Sequence, residues 1–339
     1  MRRGLPALSI LLPVMLWACT ASARQTPGEV THLRLPMGYL PSVQYAPFYV
    51  ADARGYFAEE GLELEFDYAF ETDGVALVGA GDLPFSLASG EQILLARQQG
   101  LPVVYVMGWW QDFPVAVAAL ASSGIDEPAD LRGRSVGIPF LGGASYIGYA
   151  ALMAANGLAA DDATLEVIGF TQLEALRAGQ VDAAVVYANN EPIVLEAEGV
   201  PVHVLRVADY VTLASNGLIT NEATLSQDPD LVRRMVRATL RGLRDTLDDP
   251  EAAFDLSRAY VEGLTGPNEE VQRKVLEESM RFWLADRLGY IQPEAWENMQ
   301  QVMIDAGLLR GPQDLGQAYT NEFIPPCKSK RKPTKTFCR

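Results

Sequence analysis

The body of this chain is poor in the side chains that most enzymes use for chemistry. It has only two histidines, His32 and His203, and Lys274 is its one lysine outside the C-terminal tail. Both histidines fall at the start of or inside predicted strands, where a structural role is the simplest interpretation. The sequence contains no G-x-S-x-G, H-E-x-x-H or P-loop motif. A Schiff-base lysine or histidine relay is therefore hard to build, and we assign no catalytic residue, metal ligand or cofactor.

Cysteine is equally scarce. The three cysteines are Cys19, Cys327 and Cys338, so none lies in the long segment between the two ends. A disulfide framework or a thiol nucleophile in the folded body is thereby excluded.

Positive charge is concentrated in one short segment. The formal net charge is −16, yet the last thirteen residues hold six Lys or Arg and no acid. The strong negative charge of the body argues against nucleic acid as a partner. Residues 326–339, rich in Pro, Lys and Thr, are predicted to form a basic disordered tail.

The N-terminus predicts export. Arg2 and Arg3 precede an apolar run, Leu5 to Trp17, that is too short for a transmembrane helix. It ends Leu16-Trp17-Ala18-Cys19, which resembles a bacterial lipobox, in which the cysteine is lipidated and becomes the first mature residue. We predict a signal peptide over 1–18, a tether over 19–30, and a lipid on Cys19 that holds the protein at the extracytoplasmic face of the cell membrane. A plain secretory signal cleaved nearby, after Ala23, is the alternative.

The body has an α/β pattern. From residue 31 to about 222, short apolar runs alternate with helical stretches, which predicts βα units and a mainly parallel sheet. From Asp228 onwards the apolar spacing is helical. The stretch Gly38 to Gly61 combines the end of a strand, an aromatic loop and a helix that opens at Pro47. We interpret its loop, Tyr39 to Tyr45, as one wall of a cleft, because open α/β sheets bind ligands beyond the carboxyl ends of their strands. The alternative is an ordinary connection whose tyrosines pack in the core.

Four phrases, in order along the chain, carry a family resemblance: DARGYFAEEGL at 52–62, VGAGDLPF at 78–85, DLRGRSVG at 130–137 and ALRAGQVDA at 175–183. Together they resemble the solute-binding proteins of ABC importers that have the type II periplasmic-binding fold, in the branch that handles nitrate, sulfonates, thiamine-pyrimidine precursors and riboflavin. The resemblance implies two α/β lobes joined by two crossings, a ligand trapped by hinge closure, and an ABC permease and ATPase as partners. A lipid anchor would keep such a binder near its permease.

On this resemblance we expect one lobe to comprise residues 31–120 and 215–325, including the C-terminal helices, and the other residues 121–214. The crossings are expected near Leu120–Ser122 and Ala214–Gly217.

The predicted cleft loops indicate the ligand's charge. Residues 39–47, 86–91, 109–113, 139–146 and 187–192 contain no Arg or Lys, but they include Glu91, Asp112 and Glu191. Acidic neighbours oppose a small anion, so nitrate and alkylsulfonate are disfavoured. The same loops are rich in aromatic and amide side chains, which suit a flat, neutral heteroaromatic ring. The candidate ligand-binding residues are Tyr39, Gln44, Tyr45, Ser89, Glu91, Trp109, Trp110, Gln111, Phe140, Ser145, Tyr146, Tyr187, Asn189, Asn190 and Asn216.

Riboflavin fits these side chains: its ring system would stack on Tyr or Trp, its pyrimidine edge would meet Asn or Gln, and its ribityl chain would meet hydroxyl or carboxyl groups. The opening stretch and the lysine-poor body also look most like the riboflavin-binding lipoproteins of this branch. A thiamine pyrimidine precursor is the second candidate, and an aromatic or alkyl sulfonate the third. A pyrimidine-synthesising enzyme is disfavoured by the lack of lysine and histidine. Trp109 and Trp110 cannot both face the cleft if they continue a strand.

Overall fold

The computed structural model describes residues 30–326. It contains ten strands: β1 Thr31–Gly38, β2 Leu62–Phe70, β3 Ser86–Ala88, β4 Val103–Gly108, β5 Val115–Leu120, β6 Ser135–Ile138, β7 Thr164–Val167, β8 Ala183–Tyr187, β9 Val202–Arg206 and β10 Gly217–Asn221. The helices are α1 Ala46–Ala53, α2 Tyr56–Glu59, α3 Glu71–Ala80, α4 Gly90–Gln98, α5 Gly143–Ala155, α6 Gln172–Arg177, α7 Glu191–Ala197, α8 Glu222–Gln227, α9 Pro229–Asp248, α10 Pro250–Ser257, α11 Glu269–Trp283, α12 Pro293–Asp305 and α13 Leu315–Ala318. Cys19 and the tail after residue 326 lie outside the described residues.

The strands of the first lobe form two neighbouring sheets. β1 and β2 pair in parallel, while β10 lies between β3 and β4 and is antiparallel to both. β1 lies beside β3: Ser86 Oγ donates a hydrogen bond to the Pro36 carbonyl oxygen at 3.2 Å, and Gly38 at the end of β1 lies against Leu87. The two strands therefore run in the same direction, and their carboxyl ends lie on the same side of the lobe.

The second lobe is built on one five-stranded sheet. Its strand order is β7-β6-β8-β5-β9. β6 is parallel to β7 and β8, whereas β5 runs antiparallel to β8 and β9. The carboxyl ends of β6, β7 and β8 share one edge, and the chain leaves that edge at Phe140, Ile168 and Ala188.

The prediction of a mainly parallel sheet is wrong. Within residues 30–326, three strand pairs are parallel and four are antiparallel. All four antiparallel pairs involve β5 or β10, which are the first strands after each crossing between the lobes. Apolar patterning carries no information on strand direction, so the sequence could not reveal this reversal.

The boundary predicted at residue 120 also differs from the structure. β5 belongs to the second sheet, so the first crossing lies at residues 109–114, between β4 and β5, rather than at Leu120–Ser122. The second crossing, residues 207–216, overlaps the predicted Ala214–Gly217. The sequence of a buried strand is apolar in either lobe. Only the pairing of β5 with β8 and β9 assigns it to the second lobe.

The C-terminal helices cover the first lobe, and α11 and α12 also contact the second lobe. α9 packs against α1, and Trp296 of α12 packs edge-on against Tyr105 of β4, with ring centroids 5.2 Å apart. α11 makes polar contacts with the second lobe, because Asn189 Nδ2 donates to Ser279 Oγ at 2.9 Å and Arg206 pairs with Glu278 at 2.6 Å. No helix between residues 30 and 326 is both long and apolar enough to span a membrane.

Candidate ligand-binding site

The carboxyl ends of β1, β3 and β8 bring tyrosines and carboxylates of the two lobes together. Tyr39 follows β1, and Tyr187 ends β8 in the other lobe. Burial, and next the charge of Glu191, raises the pKa of Tyr39. Burial, and next the charge of Glu71, raises the pKa values of Tyr45 and Tyr187. Groups from both lobes are therefore within electrostatic reach of one another, which places a candidate site between the lobes.

Two carboxylates of this site meet at one serine. The backbone N–H and the hydroxyl of Ser89 both hydrogen-bond to Glu71 Oε1, and Ser89 Oγ also lies 2.5 Å from Glu91 Oε1. Ser89 occupies the N-cap position of α4 with an extended backbone, but it makes no side-chain capping bond. Its hydroxyl is engaged by the two carboxylates instead.

Both carboxylates are held away from water. Glu91 is only 1% exposed, and burial, followed by the charge of Glu71, raises its pKa to about 8. Burial also raises the pKa of Glu71, although the hydrogen bonds from Ser89 oppose that rise. Glu191 is a third carboxyl group whose pKa burial raises, while it accepts a 2.8 Å bond from the Tyr187 N–H. The site is acidic in composition but carries less negative charge at neutral pH than its three glutamates suggest.

An aromatic cluster lies behind the tyrosines. Trp109 packs against Tyr45, Phe48, Trp110 and Trp283, with ring centroids 5.2 to 6.0 Å apart. Trp109 and Trp110 are 2% and 4% exposed, and their rings meet edge-on. In this conformation both tryptophans, like Tyr45, are core residues.

Several buried polar atoms around the cluster have no hydrogen-bond partner among the described residues. They are Glu91 Oε2, Trp109 Nε1, Asn189 Oδ1, Ser215 Oγ and Trp283 Nε1. Such atoms are uncommon in folded proteins, because an unpaired buried donor or acceptor costs about 1–3 kcal/mol. Their concentration near the lobe junction favours this region as a site for a polar ligand.

Two of the amide candidates, Gln111 and Asn216, lie on the crossings between the lobes. The Asn216 carbonyl oxygen accepts bonds from the backbone N–H groups of Trp109 and Trp110, at 3.1 and 2.9 Å, so it ties the two crossings together. Gln111 Nε2 donates to the Gly108 carbonyl oxygen at 3.0 Å. Asn190 Nδ2 donates to Glu191 at 3.2 Å. Gln111 and Asn189 are buried, whereas Gln44, Asn190 and Asn216 are half-buried.

The comparison with known proteins identifies the family. Residues 42–253 match the NMT1/THI5-like family. The protein is a member of that family. Riboflavin-binding protein RibY of Chloroflexus aurantiacus is 41% identical, over 94% of this chain and 97% of that protein. The formylaminopyrimidine-binding protein of Halalkalibacterium halodurans is 28% identical, over 86% and 91% respectively. Other relatives, 22–26% identical, are named 4-amino-5-hydroxymethyl-2-methylpyrimidine phosphate synthases.

A solved structure supports the fold of this family member. The periplasmic aliphatic sulphonate binding protein SsuA of Escherichia coli superposes with a TM-score of 0.71, at 14% identity, over 90% of this chain and 96% of that one. The predicted periplasmic-binding fold is thereby confirmed, while the resemblance to solute-binding proteins is confirmed by the family match and the 41% identity to a riboflavin-binding protein. At such low identity the superposition speaks for the fold alone.

The second lobe of this NMT1/THI5-like protein contributes an apolar rim. Phe140 is 49% exposed and Phe170 is 69% exposed, and they follow the neighbouring strands β6 and β7. Leu40 and Phe70, 62% and 72% exposed, occupy the corresponding ends of β1 and β2 in the first lobe. Ser145 and Tyr146 lie on the first turn of α5 and are half-buried. Their side chains make no hydrogen bond to Glu71, Ser89 or Glu91 in the part of the chain that the structure describes, although α5 packs against α4.

A small cavity lies beside the site. It is lined by Tyr105, Trp110, Gln111 and Ser215 among others, and has a volume of about 20 Å³. One water molecule fits such a space, whereas small-molecule sites typically measure roughly 300–1,000 Å³. This cavity is therefore too small to hold a vitamin.

Glu71 is the site residue that sequence reasoning missed. It lies directly between a strand and a helix, since β2 continues to Phe70 and α3 begins at Glu71. Carboxylates at the carboxyl ends of strands in α/β folds are natural site candidates.

Proposed function

We propose that this protein captures riboflavin between its two lobes outside the cytoplasm and delivers it to the permease of an ABC importer. The observation that carries the proposal is the 41% identity to a riboflavin-binding protein over nearly the full length of both chains. The absence of Arg and Lys from the predicted cleft loops supports a ligand without net negative charge.

The chemistry of the site agrees with a flavin. Tyr39 and Phe140 offer exposed aromatic faces on opposite lobes, on which a three-ring system could stack. The buried carboxyl and amide acceptors, Glu91 Oε2 and Asn189 Oδ1, suit N–H and O–H donors such as the imide and ribityl hydroxyl groups. The predicted cleft loops contain no Arg or Lys, so the ligand needs no negative charge to neutralise them.

A pyrimidine precursor of thiamine is the second candidate. It is favoured by the 28% identity to a formylaminopyrimidine-binding protein, and by carboxylates that could accept bonds from an amino group. A sulfonate is disfavoured, because Glu71, Glu91 and Glu191 would repel it. An enzymatic role is disfavoured too, since Lys274, the one lysine of the body, is exposed on α11 and pairs with Glu270 at 3.1 Å.

Titration of the purified protein with riboflavin, a formylaminopyrimidine and an alkylsulfonate tests the proposal. We expect riboflavin to bind with micromolar or tighter affinity and to lose fluorescence, because stacking on tyrosine or tryptophan quenches a flavin. Tight binding of the pyrimidine with no binding of riboflavin at micromolar concentration would reverse the order of the two candidates.

The proposal includes a lipid on Cys19, which would hold the binder near its permease. Cys19→Ser should then release the protein from the membrane fraction. If the wild-type protein and the variant are both recovered in the soluble fraction, a plain secretory signal is favoured.

A further inference from the structure

The hydrogen bonds around Ser89 determine how many protons the carboxyl groups of Glu71 and Glu91 hold. Ser89 Oγ is hydrogen-bonded to Oε1 of Glu71 and to Oε1 of Glu91. A serine hydroxyl has one hydrogen to donate, so it can donate to only one of the two carboxyl groups. The other carboxyl group must donate to the serine oxygen, and for that it must carry a proton. The pair therefore holds one proton when both bonds are made.

The geometry also assigns the proton to one partner. Glu71 Oε1 accepts from the Ser89 N–H as well as from its hydroxyl, and two donors stabilise a carboxylate. Glu91 is then the protonated member, and its Oε1–H donates to Ser89 Oγ. Its second oxygen, Oε2, is left as a carbonyl acceptor that is buried and has no hydrogen-bond partner within residues 30–326.

Only neutral or acidic groups act on this pair. Burial and the charge of Glu71 from α3 raise the pKa of Glu91 to about 8, although hydrogen bonding by Ser89, by its own backbone N–H and by the Gln92 side chain opposes that rise. The charges of Glu71 and Glu91 in turn raise the pKa values of Tyr105 on β4 and Tyr187 on β8, after burial as the larger cause. Glu191 at the start of α7 acts on Tyr187 in the same direction. Two full negative charges in this environment would be strongly unfavourable.

We propose that Glu71, Ser89 and Glu91 form a proton-sharing triad that presents the uncharged Glu91 carboxyl group to the ligand, with Glu91 Oε2 accepting a hydrogen bond from an N–H or O–H group of a neutral molecule. The inference rests on the proposed binding of a ligand between the lobes. It makes Glu91 a specificity residue, which excludes anions and favours ligands with a donor at this position, such as the imide of a flavin.

The triad couples ligand binding to protons. Ser89 and Glu91 lie at the start of α4, which packs against α5 of the second lobe, so lobe separation would admit water to the pair. Water stabilises the charged form, which lowers the pKa of Glu91 in the open protein relative to the closed one. Closure around a ligand at a pH above the open-state pKa must therefore take up a proton. Affinity falls by about tenfold per pH unit in that range, as linkage requires for one proton.

Calorimetric titration with riboflavin between pH 6 and pH 9 tests this coupling in the wild type, Glu91→Gln and Glu222→Gln. Glutamine is neutral at every pH, and its amide can donate to Ser89 while its oxygen remains an acceptor. We expect Glu91→Gln to bind riboflavin with a pH-independent affinity close to that of the wild type at pH 6. Glu222, a partly exposed residue that pairs with Arg97 at 3.0 Å, is the matched control and should keep the wild-type pH slope. An unchanged slope in Glu91→Gln would overturn the proposal.

A measurement on the free protein separates this inference from the proposed function. Infrared spectroscopy in heavy water from pH 5 to pH 9 should show the C=O stretching band of a carboxyl group that stays protonated well above pH 5, and Glu91→Gln should remove that band. If riboflavin fails to bind and the band is present, the ligand is wrong and the shared proton stands. If the band is absent from the wild type, the triad is wrong whatever ligand binds.

Discussion

At the scale of single residues, the aromatic candidates divide into two groups that the sequence does not separate. Tyr39 is 47% exposed beside the lobe junction, whereas Trp109 is 2% exposed and is surrounded by four other aromatic rings. An exposed ring such as that of Tyr39 is free to stack on a ligand, whereas a buried ring such as that of Trp109 maintains the fold. Replacing Tyr39 by alanine should therefore affect ligand affinity, and replacing Trp109 by alanine should affect stability.

Tyr39→Ala should change the free energy of unfolding by less than about 0.5 kcal/mol, because the side chain is largely exposed. It should weaken riboflavin binding by roughly 1–3 kcal/mol if the ring stacks on the ligand. Trp109→Ala should destabilise the protein by about 3–5 kcal/mol, since it opens a large cavity in the aromatic cluster. Denaturant unfolding and fluorescence titration of the same samples measure both quantities. Wild-type affinity in Tyr39→Ala would remove this residue from the site.

At the scale of secondary-structure elements, the wall of the cleft depends on close packing of α1 and α9. Gly242 of α9 faces α1, and a β-carbon built there would lie 2.0 Å from the Pro47 carbonyl oxygen and 2.7 Å from the Ala51 β-carbon. The helix that carries the loop of Tyr39 and Tyr45 can approach α9 this closely only because residue 242 has no side chain.

Gly242→Ala should therefore destabilise the protein by roughly 1–3 kcal/mol, although alanine favours a helix by about 1 kcal/mol over glycine. The steric overlap is with backbone, which cannot move aside as a flexible side chain can. Arg244→Ala, at an exposed position of the same helix, is the control and should remain within about 0.5 kcal/mol of the wild type. Thermal unfolding distinguishes the two, and equal stability of both variants would show that α1 and α9 adjust freely.

At the scale of the whole molecule, the two lobes are joined by crossings at residues 109–114 and 207–216 and are bridged by α11. The hydrogen bonds from Trp109 and Trp110 to Asn216 connect the crossings to each other. Rotation about this pair of crossings is the simplest way to open the junction. A ligand drives the reverse motion only by contacting both lobes.

Small-angle scattering should show that riboflavin makes the protein more compact. A folded chain of this size has a radius of gyration of roughly 20 Å, and we expect a decrease on the order of a few per cent on binding. The alkylsulfonate serves as a control and should leave the scattering unchanged. Saturation with riboflavin at a constant radius of gyration would mean that the ligand binds without closure.

The sequence alone determined much of the local structure and the charge of the cleft. Strand and helix positions agree within a few residues for most elements, because apolar periodicity and glycine placement are local properties; Gly55, for example, follows α1 in the left-handed region with φ +73°. The lack of Arg and Lys in the cleft loops is likewise a property of composition.

Only the tertiary structure decided which residues meet. Glu71 and Ser89 are 18 positions apart and reach each other because β2 leads into α3 beside the end of β3. The membership of β5 in the second sheet, the burial of Trp109 and Trp110, and the shared hydroxyl of Ser89 all depend on contacts between distant segments. Such contacts leave no periodic pattern in the sequence, because each partner satisfies only its own local preference until the chain brings the two together.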